Sequence, residues 1–215
     1  MPIEVKICGV NSPAALGAAV AGGADYVGFN FYPPSPRYVT PGAAREIAAA
    51  APESLTKVGV VVDLDDAALA AILEHAPLDM LQLHGRESPQ RVAEIRARFA
   101  LPVMKAVKIA GADDVAGAQA YCAVAERLLF DAKPPKDMAG ALPGGNALAL
   151  DWKLLAGTAW PIPWMLSGGL DADNLAEALR VSGARALDVS SGVEDAPGAK
   201  NPDKIRAFLS AAKAL

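Results

Sequence analysis

Two reactive side chains follow short apolar runs of the sequence, and their types suit proton transfer. Cys8 comes after Val5–Ile7, and Asp131 comes after Leu128–Phe130. A thiol and a carboxyl group can each serve as a general acid or base. Taken singly, a free cysteine is more often a small buried hydrophobe, and an aspartate after apolar residues must be paired or face a polar site. The fold must therefore decide whether the two act together.

Two turns rich in serine and glycine could bind a phosphate group. They are Ser167-Gly168-Gly169 and Ser190-Ser191-Gly192. Glycine lets backbone N–H groups approach an anion closely, and helix N-termini add a favourable dipole. A single glycine turn indicates only a tight connection, whereas two such turns after consecutive strands predict a phosphate site.

Further charged residues are candidates for substrate contacts. Arg37 lies in the proline-rich loop Tyr32–Tyr38, and a rigidly held guanidinium suits a carboxylate; the alternative is an exposed surface arginine. Asp188 ends another apolar run, with a helix cap or salt bridge as its alternative role. For Asp63 we favour such a structural role, and for His84 we favour a satisfied polar contact over a ligand.

The elements that must position these residues alternate along the whole chain. Eight β-branched or apolar runs are separated by Ala- and Leu-rich stretches of helical period, which predicts βα units and a parallel sheet. The predicted strands are Val5–Ile7, Tyr26–Phe31, Lys57–Val62, Met80–Leu83, Val103–Val107, Arg127–Phe130, Trp164–Leu166 and Ala186–Val189.

The predicted helix boundaries support this assignment of strands and helices. Four helix starts have a capping side chain followed by proline, whose missing N–H costs nothing in the first turn. They are Ser12-Pro13, Thr40-Pro41, Ser88-Pro89 and Asn201-Pro202. Gly23 and Gly183 are typical helix ends.

Eight βα units in 215 residues favour a single (β/α)8 barrel spanning residues 1–215 as one catalytic domain. An open doubly wound sheet is the second possibility, but it would need a glycine fingerprint after the first strand, which Lys6–Asn11 lacks. In a barrel, the candidate residues share the rim at the carboxyl ends of the strands. The connection 132–150 is long for a βα loop, as expected for a lid or binding loop.

Composition excludes several classes of protein. With 53% hydrophobic residues and no apolar run of about 20 residues, we expect a folded protein without a membrane span. A net charge of −4 argues against a nucleic-acid surface and favours a small-molecule partner. The two cysteines and two histidines lack disulfide or metal-site spacing, so we expect no metal. Met1–Glu4 leads straight into a strand rather than a secretory signal, so we expect a cytoplasmic protein.

Several collinear segments, spread over nearly the whole chain, resemble the phosphoribosylanthranilate isomerase family. They are Val5–Gly9, Val27–Phe29, Pro34–Tyr38, Leu81–Gly85, Phe130–Lys133, Pro143–Gly145, Asp151-Trp152, Ser167–Leu170 and Asp188–Glu194. Each segment alone is a modest signal. The Lys-Ile-Cys-Gly start combined with the two phosphate-type turns is specific.

The resemblance implies a (β/α)8 enzyme of tryptophan biosynthesis that performs an Amadori rearrangement without metal or cofactor. It implies Cys8 as general base and Asp131 as general acid, Arg37 as the group that holds the substrate carboxylate, and Asp188 as a group that orients the substrate. It also implies phosphate binding by the loops after strands 6 to 8, namely by Gly144, Gly145, Ser167, Gly168, Gly169, Ser190 and Ser191. A monomer and a homodimer are both compatible with it.

Some residues depart from the family pattern, and other readings remain open. Asn146 and Ala147 stand where many relatives continue with Thr-Gly, Asn11 replaces a common Thr, and Asn30 is polar in an apolar strand. Other phosphosugar barrels are alternatives, but the histidine-pathway isomerase is expected to have an aspartate at position 8, and indoleglycerol-phosphate synthase a longer N-terminal extension. A catalytically silent phosphate-binding barrel would not need both Cys8 and Asp131.

Overall fold

The computed structural model describes residues 2–135, 142, 144–145 and 148–215. Eight parallel strands pair in chain order, and β8 pairs with β1, so the sheet closes into a barrel. The strands are β1 Glu4–Cys8, β2 Tyr26–Asn30, β3 Thr56–Val61, β4 Met80–Leu83, β5 Val103–Ile109, β6 Arg127–Ala132, β7 Trp164–Leu166 and β8 Ala186–Val189. The predicted (β/α)8 barrel is confirmed, and the open sheet is wrong.

Helices cover the outside of the barrel. They are α1 Pro13–Gly22, α2 Pro41–Ala48, α3 Asp66–His75, α4 Pro89–Phe99, α5 Ala112–Ala118, α6 Leu175–Ser182 and α7 Pro202–Lys213. The four predicted caps are confirmed, because each capping side chain accepts a backbone N–H of the first turn. Gly23 and Gly183 end α1 and α6 with φ of 72° and 75°, the left-handed conformation that glycine adopts without strain.

Two boundaries differ from the sequence prediction in a way that matters for the site. Cys8 is the last residue of β1 rather than the first residue after it, and Asp131 lies inside β6, opposite Lys108 of β5. The apolar run ends earlier than the hydrogen-bonded ladder, because the inward-facing positions at the rim of the barrel carry polar side chains. Both residues are therefore held by strand backbone and not by loops.

In one connection, the described residues lack the predicted helix. Between β6 and β7, the described residues contain a single 3-10 turn, Trp152–Leu154, and no α-helix. Gly157, Pro161 and Pro163 follow it, and these residue types oppose helix propagation. After β8, a 3-10 turn at Ser191–Val193 and a small hairpin precede α7.

That hairpin joins β9 Glu194–Ala196 to β10 Ala199–Lys200 in an antiparallel pair. Its register places Lys200 opposite Glu194. A hairpin brings side chains close that are several residues apart in sequence, so an acidic and a basic residue meet beside the rim.

The barrel interior is packed with apolar side chains below a layer of polar ones. Successive side chains of a strand point to opposite faces, so Lys6 and Cys8 both point inward. The interior apolar cluster comprises Val58, Met80, Met104, Ala106, Leu129, Met165 and Ala186, and a larger cluster fills the space between strands and helices. The polar layer with Lys6, Cys8 and Asp131 lies at the carboxyl ends of the strands, and at the opposite end Arg127 pairs with Glu4. No helix in the described part of the chain is long and apolar enough to span a membrane.

Met104→Ala should destabilise the barrel without touching the polar rim. Met104 is fully buried in the interior cluster, and truncating such a side chain costs about 2–5 kcal/mol. The measurement is the free energy of unfolding in urea, with Leu215→Ala as the exposed control. A loss below about 1 kcal/mol for Met104→Ala would contradict a packed interior.

Candidate active site

One pocket at the carboxyl ends of the strands contains every site residue predicted from the sequence. It is lined by Cys8, Arg37, Asp131, Gly144, Gly145, Ser167, Gly168, Gly169, Asp188, Ser190 and Ser191, and also by Asn30, Tyr32, Ser35, Val60, Val62, His84, Ala132, Leu142, Leu148 and Leu170. Among the residues that the structure describes, no three His, Cys, Asp or Glu side chains form a metal-binding cluster.

Below the pocket, Lys6 forms a buried ion pair with Asp188. These residues face each other in the register between β1 and β8, and Lys6 Nζ lies 2.7 Å from Asp188 Oδ1. Ser167 Oγ donates to the other carboxylate oxygen at 2.9 Å. Both oxygens of Asp188 therefore have partners, and three strands of the barrel meet at this carboxylate.

Cys8 lies beside that pair on the inward face of β1. Gly28 of β2 lies opposite it in the register, and a Cβ there would be 3.1 Å from Lys6 Nζ and 3.2 Å from Cys8 Sγ. Burial raises the pKa of the Cys8 thiol, and the Asp188 carboxylate raises it further. The Lys6 ammonium opposes this change and Lys200 does so more weakly, but burial prevails. Lys6 is thus the group in place to stabilise a thiolate.

Lys6 itself remains a strong cation. Burial alone would lower its pKa, but the Asp188 carboxylate and Cys8 outweigh burial and raise it. A fully buried lysine would otherwise tend to lose its proton. The ammonium charge next to Cys8 is therefore secured by Asp188.

Across the pocket, Asp131 faces His84, and here the sequence interpretation was wrong. His84 was expected to be a satisfied polar residue, yet its Nε2 is buried without a hydrogen-bond partner among the described residues. It lies 3.4 Å from Asp131 Oδ2, while Asp131 Oδ1 accepts the N–H of Ala132 at 2.9 Å. Because His84 lines the pocket, it belongs to the site rather than to the supporting framework.

Arg37 is buried, which contradicts the alternative of an exposed surface arginine. Its Nε and one Nη bind the two oxygens of Glu194 at 2.7 and 2.8 Å. The same Nη also donates to the Gly145 carbonyl at 3.3 Å. Lys200 Nζ binds the same Glu194 at 2.7 Å and donates to the Ser190 carbonyl at 2.9 Å. Two cations thus share one carboxylate at the edge of the pocket.

The pKa shifts in this cluster have opposing causes. Burial would raise the pKa of Glu194, but hydrogen bonds and charge from Arg37 and Lys200 outweigh it and lower that pKa. Burial lowers the pKa of Lys200, and Glu194 compensates for this only in part. Glu194 is accordingly a fixed anion that orients both cations.

Asn30, which departs from the family pattern, organises the loop that carries Arg37. Its Oδ1 accepts the N–H of Tyr32 at 2.9 Å, and its Nδ2 donates to Ser35 Oγ at 3.2 Å. Ser35 Oγ in turn accepts the N–H of Arg37 at 3.2 Å. A polar residue at the end of β2 therefore stabilises the turn that directs Arg37 inward.

The glycine pair of the long loop approaches the acid and the arginine closely. A Cβ at Gly144 would lie 2.6 Å from the His84 ring and 3.0 Å from Asp131 Oδ2, and one at Gly145 would lie 2.4 Å from Arg37 Nη1. A larger residue at either position would displace these side chains, and Gly145 also has φ of 74°. Phosphate binding by the pair remains a prediction. The described residues do not include Pro143, Asn146, Ala147 or 136–141. That 132–150 forms a lid or binding loop therefore stays a prediction.

The two predicted phosphate turns pack against each other. A Cβ at Gly192 would lie 1.9 Å from the Leu170 carbonyl oxygen, so the turns after β7 and β8 are in direct backbone contact. Gly168 and Gly169 have φ of 90° and 68°. Residues with a side chain rarely adopt these positive φ values, so the backbone N–H and C=O groups here point in directions that other residues would rarely give. The two turns together form one wall of the pocket.

Sequence reasoning missed Lys6, Glu194 and Lys200 as functional residues. Lys6 could have been found from strand alternation, since a lysine two residues before Cys8 must point inward with it. The roles of Glu194 and Lys200 depend on the hairpin after β8, which no periodicity indicated.

The structural role favoured for Asp63 is confirmed, because it accepts the N–H of Arg86 at 2.6 Å and forms a salt bridge with the same residue.

Comparison with known proteins gives a consistent result. The family model described as N-(5'phosphoribosyl)anthranilate (PRA) isomerase matches residues 5–211. The N-(5'-phosphoribosyl)anthranilate isomerase of Rhodospirillum centenum is 58% identical over 215 residues, covering 100% of both chains.

Two solved structures show the same likeness. One is a phosphoribosyl anthranilate isomerase in complex with reduced 1-(o-carboxyphenylamino)-1-deoxyribulose 5-phosphate, with a TM-score of 0.85 and 34% identity. The other is described as mutually generated monomers of dimeric phosphoribosylantranilate isomerase from Thermotoga maritima, with a TM-score of 0.84 and 34% identity. Each covers 99% of this chain and 100% of its own.

Removing the Lys6–Asp188 pair should make the Cys8 thiol harder to ionise. In a Cys122→Ser background, Lys6→Met/Asp188→Asn removes both charges without leaving either one buried alone. Lys6 lowers the pKa of Cys8 by more than Asp188 raises it, so the midpoint of Cys8 alkylation by iodoacetamide should move to higher pH. Cys8→Ser/Cys122→Ser is the unlabelled control. An unchanged or lower midpoint in a folded double variant would show that Lys6 does not act on the thiol.

Proposed function

The chain belongs to the family of N-(5'-phosphoribosyl)anthranilate isomerases, and we propose that within it Cys8 is the general base and Asp131 the general acid. The protein is an isomerase of tryptophan biosynthesis that converts N-(5-phosphoribosyl)anthranilate to 1-(2-carboxyphenylamino)-1-deoxyribulose 5-phosphate by an Amadori rearrangement. The observation that carries the proposal is that Cys8 and Asp131 line one pocket from strands three positions apart in the eight-stranded barrel. They are on nearly opposite sides of it.

The first step uses Asp131. Its proton goes to the ring oxygen of the ribose as the bond between that oxygen and C1 breaks, and the anthranilate nitrogen supplies the electron pair for a C1=N bond. Asp131 suits this step because only one of its oxygens is occupied by a backbone N–H, which leaves Oδ2 facing the pocket.

The second step uses Cys8 as a thiolate. It takes the proton from C2, and the electrons of that C–H bond shift toward the iminium nitrogen to give an enolamine. The C2 hydroxyl then gives its proton to the Asp131 carboxylate and the Cys8 thiol returns its proton to C1, which yields the ketone and restores the starting protonation state of both groups. Because burial raises the pKa of Cys8, the ammonium of Lys6 is essential to make the thiolate accessible.

We propose that Arg37 binds the anthranilate carboxylate. Glu194 fixes the plane of its guanidinium through two hydrogen bonds, and Nη1 faces Gly145 at the pocket wall. The cluster of Arg37, Lys200 and Glu194 has two positive charges and one negative charge, so it keeps one positive charge for an anion. A guanidinium held in this way loses little entropy when substrate binds.

The phosphate is proposed to bind at the turns after β7 and β8, through Ser167, Gly168, Gly169, Ser190 and Ser191, and through Gly144 and Gly145 of the loop after β6. Support comes from the positive φ of Gly168 and Gly169 and from the direct contact between the two turns. Asp188 is proposed to orient the sugar, as an anion whose position is set by Lys6 and Ser167.

We further propose that residues 1–215 act as one catalytic domain, since the barrel begins at Glu4 and α7 ends at Lys213. A single chain supplies all the residues of the pocket, so both a monomer and a homodimer would carry complete sites. A cytoplasmic location is proposed because Cys8 must remain a free thiol, and thiols stay reduced in the cytoplasm.

Cys8→Ser and Asp131→Asn should each lower kcat by at least about 100-fold, because each removes a proton-transfer group that acts in the transition state. The assay follows the loss of fluorescence of freshly prepared phosphoribosylanthranilate. Cys122→Ser and Asp173→Asn, at positions away from the pocket, should keep wild-type kcat. Full kcat in either site variant would refute that role, and no turnover by the wild-type protein would refute the reaction itself.

Arg37→Lys should raise KM at least about 10-fold with a smaller change in kcat, because lysine keeps the charge but cannot bind Glu194 through two nitrogens while presenting a third to the substrate carboxylate. The measurement is a full saturation curve, with Arg86→Lys at an exposed position as control. An unchanged KM would mean that the anthranilate carboxylate binds elsewhere.

A further inference from the structure

The unsatisfied nitrogen of His84 faces the free oxygen of the proposed acid. His84 Nε2 is fully buried, has no hydrogen-bond partner in the described part of the chain, and lies 3.4 Å from Asp131 Oδ2. A buried polar atom without a partner is costly, so its presence in a site calls for a role. The 3.4 Å separation is longer than a good hydrogen bond, and such contacts in unliganded sites tighten when charge develops.

The Gln82 amide contacts the other side of the ring, and its orientation is linked to the nitrogen that carries the proton. With Gln82 oriented so that its Nε2 lies 2.9 Å from His84 Nδ1, the amide donates this hydrogen bond. In the neutral ring Nδ1 is then the acceptor and Nε2 carries the hydrogen. His84 therefore presents an N–H donor to Asp131.

The ring is also held in place from behind. Lys105 Nζ donates to the carbonyls of Leu83 and Gly85, which flank His84, at 3.1 and 2.9 Å. It is anchored in turn by Glu87 at 2.9 Å. On the pocket side, Gly144 leaves no side chain between the ring and the acid. This support explains how one buried donor can be kept at a fixed place.

We propose that His84 is a positioning residue for the acid, whose Nε2–H stabilises the carboxylate that Asp131 becomes after it has protonated the ring oxygen. The inference rests on the proposed acid role of Asp131. When the proton leaves Oδ2, negative charge appears at the oxygen that faces Nε2, and the contact shortens. The interaction is stronger after proton transfer than before it, so it lowers the barrier to ring opening.

The test compares two amides that differ by one methylene group. His84→Gln can place an amide N–H near the position of Nε2, whereas His84→Asn is too short and reaches only the position of Nδ1. His84→Asn should lower kcat about 10- to 100-fold with little change in KM, the effect expected for a lost hydrogen bond to a charged group. His84→Gln should recover most of that loss, and the exposed His75→Asn should have wild-type kcat.

A double-mutant cycle separates this role from a merely structural one. In an Asp131→Asn background, measured at high enzyme concentration, His84→Asn should cause no further loss of kcat, because the group that it assists is gone. The 15N spectrum of His84 should show the proton on Nε2.

The outcomes distinguish the two proposals. Full kcat for Asp131→Asn would overturn the acid role itself. If Asp131→Asn is impaired, the His84 proposal is overturned by wild-type kcat in His84→Asn, by equal losses in the Asn and Gln variants, by an additive loss in the Asp131→Asn background, or by a proton on Nδ1. Thermal unfolding of each variant shows whether a loss of kcat comes from misfolding. If His84→Asn is misfolded, the kcat of His84→Gln decides: it should stay near wild type, and a loss would overturn the proposal.

Discussion

The ion pair between Lys6 and Asp188 is the constraint on which the rest of the site depends. It joins β1 to β8, the seam at which the barrel closes, and both partners are almost completely buried. Burying two charges costs free energy that their attraction offsets only when every polar atom has a partner. Ser167 and the short contact to Lys6 supply those partners. The same pair places a positive charge beside Cys8 and fixes the Asp188 carboxylate at the pocket.

Charge is distributed unevenly around the pocket, and the asymmetry matches the substrate. Lys6 and Asp188 cancel each other, whereas Arg37 and Lys200 share the single carboxylate of Glu194. The excess of one positive charge lies beside the turn at Ser190 and the loop that carries Arg37. A substrate with a carboxylate at one end and a phosphate at the other is attracted to such a rim.

The barrel and much of its rim could be predicted from sequence because they follow from local rules. Strand alternation and helix caps are properties of a few consecutive residues, and they placed Cys8, Asp131 and the two serine-glycine turns at one end of the fold. What a side chain pairs with is not local. Glu194 meets Arg37, 157 positions away, only because a hairpin folds back after β8. His84 looked like a satisfied polar residue because nothing in Leu81–Gly85 shows that its Nε2 would face a carboxyl from β6.

The proposed acid and the proposed base differ in their surroundings. Cys8 lies between a carboxylate and two ammonium groups in a buried position, so its ionisation is governed by charges fixed in the strand framework. Asp131 lies among glycine backbone, an apolar strand and one imidazole, with a single backbone N–H on the oxygen that faces away from His84. Moving a proton from the carboxyl group to the substrate thus creates a charge that only a nearby donor can stabilise. The thiolate has that support from Lys6 before the reaction begins, whereas the carboxylate needs it only once the ring has opened.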